Sequence, residues 1–291
     1  MSKPILALTG ASGFLGRHLA RMLSSDFRIR AISTHPMHFS SVSEVRAGDI
    51  RDPTFLQLAL KGCNAVVHCA AITNTIDPDL MEVNVNYTHR LVMAAKKARL
   101  KNFVYISTEN VTYNCKDPYT RSKVEAEKIV LKYFPGALIV RPSLIFGRED
   151  KRYLAIFVKA IRKLPIVPVF PESVCTLQPI HVEDVAKLVL QGLKLKKQGV
   201  YSLVGCEPCS FAKIGQVLER YLGKRRLFLP IPALMVKLSA FLLGLGSKNM
   251  RRLSFLLQNA FVLRHANLKK LEASFHYKLP PFEERLKDLV L

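Results

Sequence analysis

Short apolar runs and longer amphipathic stretches take turns along the chain as far as residue 205. "ILALT" (5–9) is a compact apolar run. "FLGRHLARMLSS" after it spaces its apolar residues three and four apart, as an amphipathic helix does. "FRIRAIS" alternates with the period of a half-buried strand, and "NAVVHCAA" is apolar and β-branched, the pattern of a strand buried on both faces. "DLMEVNVNYTHRLVMAAKKARL" predicts one long amphipathic helix, "NFVYIS" a strand, "YTRSKVEAEKIVLKYF" a helix and "GALIVRPS" another strand. "VEDVAKLVLQGLKL" and "GVYSLVG" add a last helix and strand. Alternation of this kind predicts an α/β fold, a doubly wound parallel sheet of Rossmann type with helices on both faces.

From residue 206 the alternation stops, and helical pieces are broken by "LPIP", "GLG" and "LPP". The expected division is a dinucleotide-binding domain of residues 1–150 and 177–205, with a smaller, mostly helical C-terminal cap of residues 151–176 and 206–291. The opening "MSKPILALTG" has too short an apolar run before its glycine for a signal peptide and is expected to be the first strand.

With 291 residues, 49% hydrophobic and 23% charged, the chain can bury a large core and falls outside the disordered class. Its formal charge of +22 points to an anionic partner: a nucleotide, a membrane surface or nucleic acid. The basic residues lie in scattered short runs with no interleaved aromatic and basic module, which argues against nucleic acid. Six cysteines fit no disulfide framework in a chain this long, so a reducing, cytoplasmic compartment is expected. Cys206 and Cys209 form a single C-x-x-C, a poor zinc site without a second pair; two loop cysteines are the simpler reading, and no metal is expected.

"TGASGFLG" follows the first strand and opens the first helix. Its Gly10, Gly13 and Gly16 are spaced G-x-x-G-x-x-G, one residue longer than G-x-G-x-x-G between the first two. The physics is shared: a tight turn at Gly10, backbone approach to a pyrophosphate at Gly13, and close helix–strand packing at Gly16, with the helix N-terminus facing the anion. After the second strand, "RAISTHP" carries Ser33, Thr34 and His35 and no carboxylate to take the ribose hydroxyls. That favours NADP over NAD, with Arg17 and His35 as candidate partners of a 2′-phosphate.

Together these motifs resemble those of the extended short-chain dehydrogenase/reductases. "TGASGFLG" matches their fingerprint, "GDIRD" the segment whose acid holds the adenine, "VVHCAA" the strand under the cofactor, "YISTEN" the strand ending in the catalytic hydroxyl, "YTRSK" the Tyr-x-x-x-Lys, and "RPSLIFG" the loop beside the nicotinamide. "PIHVEDVA" matches a further stretch near the cap. The resemblance implies that Ser12, Phe14, Leu15 and Arg17 join the three glycines around the cofactor, along with Asp49, Ile50, Ala70, Ala71, Tyr119, Lys123, Pro142 and Ser143. It implies a catalytic set of Thr108, Tyr119 and Lys123 acting on a small-molecule hydroxyl or carbonyl. Within the family, "RPSLIFGREDKRYLAIFVKAIRKLPIVPVF", "LQPIHVEDVA" and "RLFLPIPALMVKLSAFLLGL" are similar to the dehydrogenase-like accessory subunit of respiratory complex I and its bacterial relatives, which implies a nucleotide held without turnover.

Tyr119 and Lys123 stand four residues apart, on one helix face. In the family's chemistry the phenol moves a proton while hydride moves, and the lysine lowers its pKa and holds the nicotinamide ribose. Ser107 is an alternative to Thr108, one residue early in the register. In "STEN", Glu109 stands at the acid position of sugar-nucleotide dehydratases and Asn110 at the base position; an amide cannot take a proton, so dehydration is not expected. The stretch between Thr108 and Tyr119 is short for a sugar-nucleotide epimerase, the further alternative. Glu109 is expected as a solvated loop acid, and His68 and His181 as packing, hydrogen-bonding residues.

Between residues 227 and 246 the only charge is Lys237, with Lys224, Arg225 and Arg226 before it and Lys248, Arg251 and Arg252 after it. The helix expected from Ala233 to about Leu245 is too short to span a bilayer. It is either a core helix of the cap or a helix lying in a membrane interface, which leaves open a peripheral position on the inner face of a membrane or on a respiratory complex.

Overall fold

The computed structural model describes residues 3–113, 115, 117–247, 250–251, 254–255 and 266–290. They fall into two compact units, Met1–Pro142 with Glu183–Leu203, and Ser143–Val182 with Val204–Leu291.

The first unit is built on strands β1 (Ile5–Thr9), β2 (Arg28–Ser33), β3 (Glu44–Ala47), β4 (Ala65–His68), β5 (Asn102–Ile106), β6 (Leu138–Pro142) and β10 (Gly199–Leu203). They form one sheet in the order β10-β6-β5-β4-β1-β2-β3, every pairing parallel. The order reverses between β1 and β4, so the carboxyl ends of these two strands flank the switch point where ligands of open α/β sheets bind.

Helices α1 (Phe14–Leu23), α2 (Pro53–Leu60), α3 (Tyr87–Lys97), α4 (Pro118–Tyr133) and α6 (Val182–Lys194) connect the strands. One face of the sheet is closed by α2, α3 and α4, whose Leu60, Leu91 and Val130 share a buried cluster with Ala7, Val66 and Ile139. The alternate strand residues Leu6, Leu8, Ile29 and Val67 are buried as well, as strands sandwiched between helices require. Lys194 of α6 pairs with Asp26, just past α1, at 2.8 Å on that side.

The second unit contains β7 (Ile145–Phe146), α5 (Tyr153–Lys163), β8 (Ile166–Val169), β9 (Ile180–His181), α7 (Phe211–Leu222), β11 (Leu227–Pro230), α8 (Ala233–Gly244) and further helices at Leu268–Phe275 and Phe282–Leu286. Its core joins Phe146, Phe157, Val167, Ile214, Leu218 and Phe282.

Three differences from the sequence expectation have local causes. The unit boundaries lie at 142, 182 and 203 rather than 150, 176 and 205. The cause is that β7 and β9 pair with each other, Ile145 opposite Ile180, and so leave the main sheet. The long helix expected over "DLMEVNVNYTHRLVMAAKKARL" opens with a π-helical turn, Glu82–Asn86, which rotates Asn84 into the interior. Within the cap expected to be mostly helical, β11 pairs in parallel with β8, Leu227 opposite Ile166. Its residues are apolar on both sides, so no period of two marks it.

Candidate functional site

Thr9 ends β1, and Gly10 turns the chain with φ +73°. A Cβ at Gly10 would lie 2.6 Å from the Ala70 nitrogen, so this turn sits directly on the exit of β4. At Gly16 a Cβ would lie 1.9 Å from the Gly10 carbonyl oxygen, which only glycine permits. Gly13 differs. Its N–H donates to the Gly10 carbonyl at 3.0 Å, but a Cβ there would meet only that oxygen, at 3.3 Å. The fold therefore demands Gly10 and Gly16 for itself, whereas at Gly13 the neighbouring protein leaves more room. Gly13 also caps α1 with no side-chain hydrogen bond, so the first-turn amides, those of Phe14 and Leu15 among them, are left without a side-chain cap. Ser12 is exposed, and its carbonyl accepts from the Arg17 guanidinium at 2.7 Å.

Beyond β2, the His35 N–H donates to the Ser33 hydroxyl at 3.2 Å, and Thr34 bonds the His35 ring at 2.9 Å. No carboxylate stands in these three positions. Asp49, exposed after β3, accepts from the Arg51 backbone at 2.8 Å and its guanidinium at 3.0 Å, and Arg51 holds its carboxyl below the ordinary range. Ile50 is half-buried against the core.

Below the turn lies a buried hydrogen-bond chain. Thr9 Oγ1 accepts from the amides of Cys69 (3.2 Å) and Ala70 (3.1 Å), so its own hydrogen goes to His68 Nδ1 at 2.7 Å. Thr88 Oγ1 donates to the Asn84 carbonyl at 2.7 Å and so accepts from His68 Nε2 at 2.8 Å. These partners assign a neutral His68 with its proton on Nε2. Burial, helped by the Lys123 charge, pulls its pKa down to about 3. Asn84 goes on to bind both backbone groups of Ile72 at 2.8 Å and the Ser122 hydroxyl at 2.9 Å, and Ser122 donates to the Tyr119 carbonyl at 2.7 Å. The loop that carries Ala70 and Ala71 is thus tied to the helix that carries Tyr119.

That helix, α4, starts where Asp117 accepts from the Thr120 amide at 3.0 Å and hydroxyl at 2.6 Å, with Pro118 in the first turn. Tyr119 is half-buried. Lys123, one turn on, is only 2% exposed, lies 4.2 Å over the Tyr105 ring and donates to the Ile106 carbonyl at 2.6 Å. Desolvation draws its pKa down to about 7, with Cys69 and Glu127 acting the other way. Thr108 lies two residues beyond that carbonyl, its Oγ1 accepting from the Asn110 amide at 3.3 Å.

Ser107 is buried, and its hydroxyl has no hydrogen-bond partner among the described residues. Glu109 corrects an expectation: it is 3% exposed, not solvated, with Thr112 Oγ1 donating to its carbonyl at 2.7 Å and the Arg141 charge acting through space. It opens a short 3-10 helix, Glu109–Thr112, that packs on α4 and keeps the acid inside. Pro142 is buried at the end of β6. Ser143 begins the second unit, where its hydroxyl donates to the Gln178 carbonyl.

In the second unit His181 is buried, packed edge-on against Phe146, with Nε2 3.2 Å from Asp288. Cys206 Sγ accepts from the Phe282 amide at 3.1 Å. Cys209 is buried in a backbone bridge to Leu177, and burial pushes its thiol up to about 12. Among the described residues no three His, Cys, Asp or Glu side chains come together as a metal site.

A model of the NAD dependent epimerase/dehydratase family matches residues 6–203. The chain belongs to this family. It is 34% identical to the ceramide reductase of Caulobacter vibrioides over 196 residues, 65% of this chain and 61% of that protein. Identity to mitochondrial NADH dehydrogenase (ubiquinone) 1 alpha subcomplex subunit 9 of Mus musculus is 32% over 211 residues, 67% of this chain and 54% of that protein. The match thus spans between half and two thirds of these two relatives. The UDP-glucose 4-epimerase of Vibrio cholerae is 27% identical over 275 residues, covering 84% of this chain and 83% of that one. Among solved structures, UDP-glucuronic acid 4-epimerase from Bacillus cereus, in complex with UDP-glucuronic acid and NAD, superposes with a TM-score of 0.76 at 20% identity over 98% of this chain and 97% of that one. WbmG of Bordetella bronchiseptica, in complex with NAD, also gives 0.76, at 18% identity over 99% of this chain and 94% of that one. At these identities the likeness is one of fold.

The residues fit the dinucleotide that the family's name implies. The clear space at Gly13, the uncapped first turn of α1 and a buried Lys123 amine with a single protein acceptor among the described residues are all on hand. Sequence reading missed Thr9, Asn84, Thr88 and Ser122. Asn84 and Thr88 did leave a trace, two polar residues one turn apart on a face whose neighbours, Leu91 and Val92, are apolar.

Proposed function

We propose that this chain is an NADP-linked oxidoreductase acting on a hydroxyl or carbonyl group of a small molecule, with Thr108, Tyr119 and Lys123 as its working set. The observation that carries the reading is Lys123. A buried amine costs several kcal/mol unless it is well paired, yet this one has the Ile106 carbonyl at 2.6 Å and donors to spare. A lysine kept there for the fold alone would be a poor choice; one kept to meet a ribose hydroxyl and tune a neighbouring phenol is a good one.

The nicotinamide supplies or takes the hydride when bound. The chain handles the proton and the placement. Thr108 Oγ1 accepts from Asn110, so its hydrogen is available to orient the substrate oxygen. Tyr119 gives the proton to that oxygen in reduction and takes it in oxidation. The Lys123 charge favours the phenolate that oxidation needs. Asn110 at the base position weighs against dehydration. The missing acid at Ser33–Thr34–His35, with Arg17 close to the glycine turn, favours the 2′-phosphate of NADP; tighter binding of NADH than NADPH at fixed ionic strength would overturn that preference.

A second reading rests on the 32% identity to the complex I subunit: the same site holds its nucleotide without turnover, as an accessory protein on a respiratory complex. The deciding experiment measures bound nucleotide and carbonyl-dependent NADPH oxidation in wild type, Tyr119→Phe and Lys123→Ala. Its substrate panel includes a keto-ceramide and UDP-sugars, after the relatives. The oxidoreductase reading expects wild-type turnover, a loss of about 10²–10⁴-fold in Tyr119→Phe with nucleotide retained, and loss of both turnover and nucleotide in Lys123→Ala. No turnover across the panel, with Tyr119→Phe silent and only Lys123→Ala releasing nucleotide, would favour the accessory role.

A further inference from the structure

We propose that the outer face of α8 and of the β8–β11 pair docks on an anionic phospholipid bilayer. The inference stands whether or not the nucleotide site turns over.

Apart from Lys237 and Ser239, α8 is apolar, on its exposed side as well as its buried one. Val236 and Ala240 are its buried positions. Leu234, Leu238, Phe241, Leu242 and Leu245, at the end of the helix, recur with helical spacing, and each is more than half exposed. An outward stripe of this kind is normally polar; a helix apolar all round is normally covered. β11, which leads into α8, repeats the anomaly. In β8, Val167 and Val169 face the core while Ile166 and Pro168 face out. Their register partners on β11 are Leu227 and Leu229, each at least half exposed. Both elements therefore present apolar side chains where water would be, on adjoining segments of one unit. Nine exposed apolar residues on two sequence-adjoining elements, these five of α8 with Ile166, Pro168, Leu227 and Leu229, exceed the scatter of single exposed hydrophobics expected on a soluble surface.

Charge identifies what covers it. From residue 220 to residue 271 the sequence has eleven Lys or Arg and no Asp or Glu. Of these, Lys224 and Arg225 precede β11, Lys237 lies on α8 and Arg251 follows it, all exposed. Lys248 and Arg252 lie outside the described residues. Cations of one sign flanking an apolar segment are the pattern of interfacial helices on anionic lipid, where each basic residue near the headgroups strengthens binding. At 12 residues α8 is about 18 Å long, short of the roughly 30 Å of a bilayer core, and no helix among the described residues is long and apolar enough to cross a membrane. The face lies on a bilayer and does not span it.

The test is sedimentation of the purified chain with vesicles of phosphatidylcholine alone, or with about a third phosphatidylglycerol. Wild type is expected to bind the anionic vesicles at least about tenfold more tightly than the neutral ones. Binding should weaken in about 0.5 M salt, where charges are screened within a few ångströms. Leu238→Glu with Phe241→Glu, and separately Lys224→Glu with Arg225→Glu, should each lower binding at least about tenfold. All four positions are exposed, and an unchanged melting temperature and nucleotide content would verify the fold. The proposal is overturned if wild type stays in the supernatant with anionic vesicles, or if the apolar double variant binds them as well as wild type does. It is also overturned if light scattering shows a dimer that Leu238→Glu with Phe241→Glu converts to a monomer while vesicles are ignored; the face would then belong to a second copy.

Discussion

β4 and the β8–β11 pair are written in the same alphabet. Apart from His68 at the end of "AVVH", the strands "AVVH", "IVPV" and "LFLP" are apolar at consecutive positions, and none shows the alternation of a half-exposed strand. β4 lies between β1 and β5 and is buried at every position. The β8–β11 pair buries one side: Val167 and Val169 enter a core, and the Phe228 ring packs over Gly215 of α7, where a Cβ would sit 2.4 Å away. Its other side, Ile166 and Leu227 in register, faces out. Continuous apolarity says that a strand is to be covered on both faces. It does not say whether the cover belongs to the same chain.

The contrast breaks most sharply with a carboxylate. Val66→Asp in β4 would bury an unpaired acid and is expected to cost more than about 4 kcal/mol, enough to prevent folding. Leu229→Asp on β11 should change the unfolding free energy, read from urea titration, by no more than about 0.5 kcal/mol. Similar losses at both sites would mean that β11 is covered within the chain.

Within the glycine turn the same contrast separates fold from ligand. Gly16→Ala forces a Cβ against the Gly10 carbonyl and should cost about 3 kcal/mol of stability. Gly13→Val is expected to leave the melting temperature nearly unchanged yet weaken NADPH at least tenfold by fluorescence titration, or about 1.4 kcal/mol. A Gly13→Val protein that melts early but binds normally would reverse the assignment of the two glycines.

Acid should strike the first unit through His68. Its folded pKa of about 3 lies below the unfolded value of 6.5, so the unfolded chain takes up the proton first as pH falls. The stabilisation is complete above pH 6.5 and is lost progressively between 6.5 and 3, about 2 kcal/mol of it by pH 5. Urea midpoints at pH 7 and pH 5 should show this loss in wild type and a shallower one in His68→Gln; an equal slope in both would remove His68 as the sensor.

The smallest effect on turnover is expected at Ser122. Its hydroxyl links Asn84 to the Tyr119 carbonyl, and Ser122→Ala removes about 1 kcal/mol of hydrogen bonding. If that link positions the helix, turnover should fall a few-fold with nucleotide affinity unchanged.

The glycine turn, the Tyr–Lys spacing and the strand–helix order were legible because each is local. Gly10, Gly13 and Gly16 do their work within seven residues, and Tyr119 and Lys123 are one helical turn apart. Thr9 and His68 were not legible as a pair, being brought together only by the parallel pairing of β1 with β4. Glu109 was misjudged for a similar reason. A carboxylate in "STEN" looks solvated until the 3-10 helix packs it against α4 and sets it within reach of the Arg141 charge.

By itself the sequence determined the doubly wound order, the glycine turn after the first strand and the helix on which Tyr119 and Lys123 stand one turn apart, because backbone periodicity and short-range sterics leave few alternatives at those places. Only the tertiary structure decided which glycines the fold itself requires, which histidine tautomer the core holds, and which apolar residues remain uncovered. Each of these depends on what lies a few ångströms away in space, and at Gly10, His68 and Leu227 that neighbour comes from about sixty residues away along the chain.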